Sequence, residues 1–129
     1  MLKTIIAAAL VVAFAALAAA SSAPAKGGGD GTLKRGSCSG SADWKLKAKH
    51  DDGLIETEFE VDQNIVGRRW KVVIRQNGVK RFEGVRRTKA PSGSFSVSRL
   101  LDNNAGADRI VAKARALSNG QTCRGTLYI

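Results

Sequence analysis

This sequence is poor in the residues that most often carry chemistry. Its 129 residues include one histidine, His50, and two cysteines, Cys38 and Cys123. His50 stands beside Asp51 and Asp52, with no serine placed near it by the sequence. A base without a nucleophile in reach does not make a hydrolytic pair, and one histidine with two cysteines falls short of a metal site. Aromatic residues make up only 5% of the chain, and Trp44, Trp70, Phe59 and Phe95 all fall in apolar alternations that read as core. No exposed stacking series is left for nucleic-acid bases. No stretch after the N-terminus has a helical period. We therefore expect no enzyme, metal or cofactor, and no sequence-specific nucleic-acid recognition. Acidic residues are also few, 11 Asp+Glu against 21 Lys+Arg, for a net charge of +10.

The N-terminus carries an export pattern. Lys3 is followed by a run from Thr4 to Ala20 without charge, then by Ser21-Ser22-Ala23-Pro24-Ala25 with small residues spaced A-x-A. This is the layout of a cleavable signal peptide, expected over residues 1–25. Cleavage after Ala25 fits best, and cleavage after Ala20 is the rival. An uncleaved membrane anchor is the other reading, but an Ala-rich run of about 17 residues sits at the lower limit of a span. No cysteine directly follows the run to take a lipid. The expectation is a secreted, extracellular protein, free or associated with the cell envelope, with no membrane span once the signal is removed. Losing residues 1–25 removes only Lys3 among the charged residues, which leaves a net charge of +9. In an oxidising compartment Cys38 and Cys123 are expected to form one disulfide. It would close a loop of about 85 residues, worth up to about 4–5 kcal/mol in the chain-entropy account.

Residues 26–37, KGGGDGTLKRGS, read as a flexible Gly-rich leader. The domain is expected over 38–129. There the chain alternates apolar and polar residues between turn signals, the pattern of an all-β domain. Trp44, Leu46 and Ala48 alternate with Lys45, Lys47 and Lys49; after Asp52-Gly53, Ile55, Thr57, Phe59 and Val61 alternate with Glu56, Glu58 and Glu60. A two-residue turn at Asp52-Gly53 pairs Lys49 with Glu56, Lys47 with Glu58 and Lys45 with Glu60, and on the other face Trp44 with Val61 and Leu46 with Phe59. Asn77-Gly78 and Asn119-Gly120 mark further hairpins. The second pairs Arg75 with Lys80 and Arg69 with Arg86, and the irregular return strand suggests a bulge or an edge. The third sets Ile110, Ala112, Ala114 and Ala116 against Ile129, Leu127, Gly125 and Cys123. About seven antiparallel strands result. An immunoglobulin/fibronectin-like sandwich with Trp70 in the core is expected, with a small β-barrel as the alternative.

Two acidic patterns can be weighed against ordinary structure. Glu56, Glu58 and Glu60 share a strand face and could suggest a carboxylate-based hydrolase, but Lys45, Lys47 and Lys49 neutralise them. Asp102 to Asp108 places oxygen ligands at alternate positions like a calcium loop, yet lacks the later Glu and suits a plain turn.

The segregated charge lies elsewhere. Between Gln63 and Arg99 ten basic residues meet one acidic residue, Glu83. The candidate ligand-binding residues are Arg68, Arg69, Lys71, Arg75, Lys80, Arg81, Arg86, Arg87 and Lys89, on the hairpin turned by Asn77-Gly78. Like charges facing each other across a hairpin cost stability, which makes this hairpin a candidate dock for an anion.

The stretches Cys38-Ser39-Gly40-Ser41-Ala42-Asp43-Trp44-Lys45-Leu46, Val66-Gly67-Arg68-Arg69-Trp70, Ala90-Pro91-Ser92-Gly93-Ser94-Phe95 and Thr122-Cys123-Arg124-Gly125 resemble a group of short, uncharacterised secreted proteins of actinobacteria. The resemblance covers essentially the whole domain. It implies export and a β-sandwich-like fold, and no function. The first expectation is thus a secreted, non-enzymatic binding module whose partner is an anionic cell-envelope polymer or an acidic protein. The alternative is a structural, protein-interaction or inhibitor-like domain in which the charge is incidental.

Overall fold

A computed structural model describes residues 31–129; the expected signal peptide and residues 26–30 of the expected leader lie outside the described residues. Eight strands follow one another: β1 (Thr32–Ser37), β2 (Asp43–Asp51), β3 (Leu54–Asp62), β4 (Arg69–Gln76), β5 (Val79–Arg87), β6 (Ser94–Asp102), β7 (Arg109–Ala116) and β8 (Thr122–Tyr128). They form two antiparallel four-stranded sheets, ordered β1-β2-β3-β6 and β5-β4-β7-β8. The architecture is a sandwich, and the sheets do not close into a barrel. No helix among the described residues is long and apolar enough to cross a membrane.

The eighth strand corrects the expected leader, because Thr32–Ser37 pairs along β2 instead of hanging free. Gly36, one of the glycines that made this segment look flexible, serves a close approach. A Cβ on Gly36 would stand 2.6 Å from the Trp44 ring, and one on Gly125 of β8 would stand 2.5 Å from the same ring. The indole fills the space that both residues leave open.

The β2–β3 hairpin has the expected register throughout, including Lys45↔Glu60, Lys47↔Glu58, Lys49↔Glu56 and Leu46↔Phe59. Its turn residues Asp52 and Gly53 both take positive φ, 51° and 79°, as a tight two-residue turn requires. In the β4–β5 hairpin Arg75 faces Lys80 as expected, but a bulge between Ile74 and Arg75 moves the rest by one residue. Arg81 becomes the extra residue. Arg69 therefore faces Arg87, not Arg86, and Arg86 faces Trp70. The β7–β8 register differs by two residues, Ala114↔Cys123, Ala112↔Gly125 and Ile110↔Leu127, because the connection is longer than Asn119-Gly120 alone. A shift of two leaves every side chain on its expected face.

Between the sheets lie Leu46, Ile55, Phe59, Val72, Ile74, Val97, Ile110 and Leu127, all buried, together with Trp70, the largest buried side chain. Trp70 Nε1 donates to Gln63 Oε1 at 2.9 Å, and its ring lies 6.2 Å from that of Phe95. This satisfies the one polar atom of the indole inside the core. Thr57 is less well served: it is fully buried and its Oγ1 has no hydrogen-bond partner. Thr57→Val keeps the shape and removes the orphaned hydroxyl. It should raise the urea midpoint by the equivalent of about 1 kcal/mol with an unchanged m-value; a fall in the midpoint would show that the hydroxyl is satisfied.

Cys38 and Cys123 form the disulfide. It joins the turn after β1 to β8, and so ties one sheet to the other at a single corner. Beside it Ser39 N donates to Thr122 O at 2.8 Å, and Ala42 N to Gln121 Oε1 at 2.8 Å. At the opposite end the Asp102–Asp108 segment is held from within. Asp108 is buried, and its Oδ1 accepts from Asn77 Nδ2, Asn104 Nδ2 and Gln76 Nε2 at 2.8, 2.8 and 3.0 Å. Its Oδ2 accepts from the Asn104 backbone N–H at 3.1 Å. The carboxylate is surrounded by N–H donors, which is the environment of a turn anchor and not of a cation ligand.

Candidate functional site

Alternation along each strand decides which residues leave the core. In the second sheet Trp70, Val72 and Ile74 of β4, Ile110, Ala112 and Ala114 of β7, and Cys123 and Leu127 of β8 are buried. Their sequence neighbours therefore form the outer face: Arg69, Lys71, Val73 and Arg75 on β4, Arg109, Val111, Lys113 and Arg115 on β7, and Arg124 and Tyr128 on β8. β5 adds Glu83, Val85 and Arg87. Glu83 is the one carboxylate among them.

The two outer faces differ in how charges meet. On the first sheet Lys45, Lys47 and Lys49 each face a glutamate, and two of these pairs close to 3.8 Å (Lys45–Glu60) and 3.4 Å (Lys49–Glu56). Like charges meet there only toward the β1 end, at Arg35↔Lys45 and Asp43↔Asp62. On the second sheet every directly opposed charged pair is basic with basic: Arg69↔Arg87, Arg75↔Lys80, Lys71↔Arg115 and Lys113↔Arg124. Such pairs destabilise a sheet. Because carboxylates gather on one sheet and cations on the other, the molecule has a face of mixed charge and a strongly positive one.

Glu83 relieves only one corner. Its carboxylate bridges Lys80 and Lys71, with Lys71 Nζ at 2.9 Å. The hydrogen bonds and charges of Lys80 and Lys71 hold its pKa at about 2, against an ordinary 4.5, so it is ionised at any pH near neutrality. Among the described residues Arg69, Arg75, Arg87, Arg109, Lys113, Arg115 and Arg124 form no ion pair.

The nine residues singled out from the sequence thus divide. Arg69, Lys71, Arg75 and Arg87 lie on the outer face, and Lys80 and Arg81 stand at the hairpin end and its bulge. Arg68 and Lys89 are in the flanking loops, where Lys89 bridges to Ser94. Arg86 belongs to a different surface. It alternates with the outer-face residues and lies 5.0 Å from the Phe82 ring centroid, with Arg99 of β6 at 4.2 Å from the same centroid. Each of these two guanidiniums donates to the carbonyl of its preceding residue, Val85 and Ser98. They cover the rim where the two sheets part, as inward-placed charges do on edge strands.

The sequence reading missed half of the face. Arg109, Lys113, Arg115 and Arg124 are spread over β7 and β8 with apolar residues between them, so no dense basic run marks them. The signal that finds them is the count of carboxylates at outward positions of β7 and β8, which is zero.

A surface hollow of about 480 Å³ lies on the first sheet beside Trp44. Charges of both signs line it, Arg35 and Lys45 against Asp43, Glu60 and Asp62, so it concentrates no field. Glu56 and Glu60 of β3 are paired with Lys49 and Lys45, Glu58 faces Lys47 in register, and His50 is exposed at the end of β2. Neither provides a nucleophile and base in reach of each other.

No protein family, curated protein or solved structure matches this chain.

Proposed function

We propose that this protein is an exported, non-enzymatic binding module that holds an anionic polymer of the cell envelope against the outer face of its second sheet. The observation that carries the reading is the set of four cross-strand pairs of like charge on that face. The sheet bears their repulsion although on its other sheet the same chain sets each lysine of β2 opposite a glutamate of β3. A bound polyanion removes the repulsion and releases its own counterions. The face is broad and open, which suits a polymer better than a small molecule, since small ligands are held in concave pockets. The N-terminal export pattern and the disulfide support an extracellular setting.

The test is binding of residues 26–129 to anionic polymers across a salt series. With four or more phosphate-type contacts on a single-chain polymer, log affinity should fall against log salt with a slope of about −3 or steeper. Arg69→Glu with Arg115→Glu should abolish binding at physiological salt. A slope near zero, or affinity untouched by the double change, would overturn the reading and favour the alternative, a protein-interaction domain.

A further inference from the structure

The two ends of the sandwich differ in charge. The disulfide end is built from the connections 38–42, 63–68, 88–93 and 117–121, and none of them contains Asp or Glu. Together with the strand residues that border them, they carry Arg68, Arg69, Arg87 and Lys89 against Asp43 and Asp62. The two aspartates oppose each other on the first sheet, whereas Arg69 and Arg87 oppose each other on the second. The Asp108 end reverses the balance, with Asp51, Asp52, Asp102 and Asp108 against Arg109.

The disulfide end also leaves large apolar side chains in water. Ile65, Val66 and Leu117 are 44%, 54% and 50% exposed. The backbone beneath them is tied down. Buried Thr88 accepts from Arg68 N at 2.9 Å through Oγ1, which donates to Ile65 O at 2.5 Å. Gly67 N donates to Thr88 O, and Thr88 N to Arg68 O, both at 2.8 Å. On the other side a Cβ on Gly93 would stand 2.3 Å from Ile65 N. Leu117 N donates to Arg69 O at 2.9 Å, and Leu117 shares a shallow hollow of about 250 Å³ with Gly67, Arg68 and Arg69. Apolar and cationic residues are thus interleaved at one end, on a backbone held in place.

We propose that this end docks on an anionic lipid membrane, with Ile65, Val66 and Leu117 at the acyl boundary and Arg68, Arg69, Arg87 and Lys89 at the headgroup phosphates. The proposal does not depend on the polymer reading. Binding at a membrane surface draws on buried apolar area and on attraction between cations and anionic headgroups, and this end offers both together. Connections without carboxylates suit a plane of uniform negative charge. The same plane repels the acidic opposite end, which orients the sandwich with its disulfide end down. A protein partner would need a matched pocket for each apolar side chain, whereas a fluid headgroup layer accepts them at any spacing. In this orientation the basic face of the second sheet stands out from the membrane.

The experiment is cosedimentation of residues 26–129 with vesicles of phosphatidylglycerol and phosphatidylcholine in equal parts, at physiological salt. Ile65→Ser/Val66→Ser/Leu117→Ser leaves every charge in place and should weaken binding about tenfold or more. Arg68→Gln/Lys89→Gln should weaken it about twentyfold. Arg75→Gln/Arg109→Gln removes the same charge about 20 Å away along the strands, beyond two Debye lengths, and should cost less than about threefold. Single tryptophans then report which end is inserted. Val66→Trp should be quenched by phosphatidylglycerol brominated in its acyl chains. Val79→Trp, at a residue 53% exposed beside the turn of the opposite end, should not. Undiminished binding of the serine variant would mean that net charge alone attracts the protein to the vesicles, and would overturn the proposal. Equal losses from the two glutamine pairs, or equal quenching of the two tryptophans, would overturn it as well. If the unaltered protein does not bind these vesicles, the membrane is not the partner and the apolar end is left to a protein.

Discussion

Asp108→Ala should be the most damaging single substitution at a polar position of the domain, lowering stability by about 3 kcal/mol. The buried carboxylate accepts four N–H donors that come from β4, from the β4–β5 turn and from the segment before β7. Removing it orphans those donors together, and each buried one costs about 1–3 kcal/mol, less where water can enter. It also frees the turn that positions Arg109, whose backbone N–H is bonded to Asn77 Oδ1 at 2.9 Å. Burial pushes the Asp108 pKa up, but hydrogen bonds from Asn104, Asn77 and Gln76 outweigh it and leave the carboxyl below its ordinary 3.8. Its folded pKa is thus lower than its unfolded one. The associated stability is complete above about pH 4 and is lost as pH falls through the folded value. Asp108→Asn should flatten that acid limb. Urea unfolding at pH 7 and at pH 3 measures both effects, and an Asn variant with the native pH profile would refute the account.

Removal of the disulfide by Cys38→Ala with Cys123→Ala should cost about 4 kcal/mol, because it frees a loop that spans 85 residues of the chain. For a domain of this size the Tm should fall by about 20 °C. The fold should persist at room temperature. The same corner is also held by the Cys38 N–Ala42 O and Ser39 N–Thr122 O bonds, both 2.8 Å, and by Thr122 N to Ser39 Oγ at 2.9 Å. Calorimetry with and without reductant gives the number. An unchanged Tm would mean that these bonds, and the packing of Trp44 between Gly36 and Gly125, already close the corner.

What could be read from the sequence followed the strength of local signals. The β2–β3 hairpin was legible to the residue, because Asp52-Gly53, the lysine–glutamate pairs and the apolar pairs all specify one register. At Asn77-Gly78 the turn was legible but the bulge at Arg81 was not located. Val79 to Thr88 carries too few apolar residues to show where alternation slips. After Ala116 the turn signal Asn119-Gly120 was genuine but only part of a longer connection. Since the error was an even number of residues, the core assignment survived it. β1 was hidden by the glycines around it, which in the sequence signify freedom; in the fold its own Gly36 makes room for an indole. The site was half legible for a related reason. A basic run is visible where it is continuous along one hairpin. Arg109, Lys113, Arg115 and Arg124 join the face only through the pairing of β7 with β4 and β8, which no local pattern announces.

The basic face has neither walls nor lid, since its hollows are shallow and its four strands lie side by side. A polymer can settle on it sideways, at any point along its length, and no free end has to be threaded. A chain cross-linked at both ends into an insoluble mesh is as accessible to this face as one in solution.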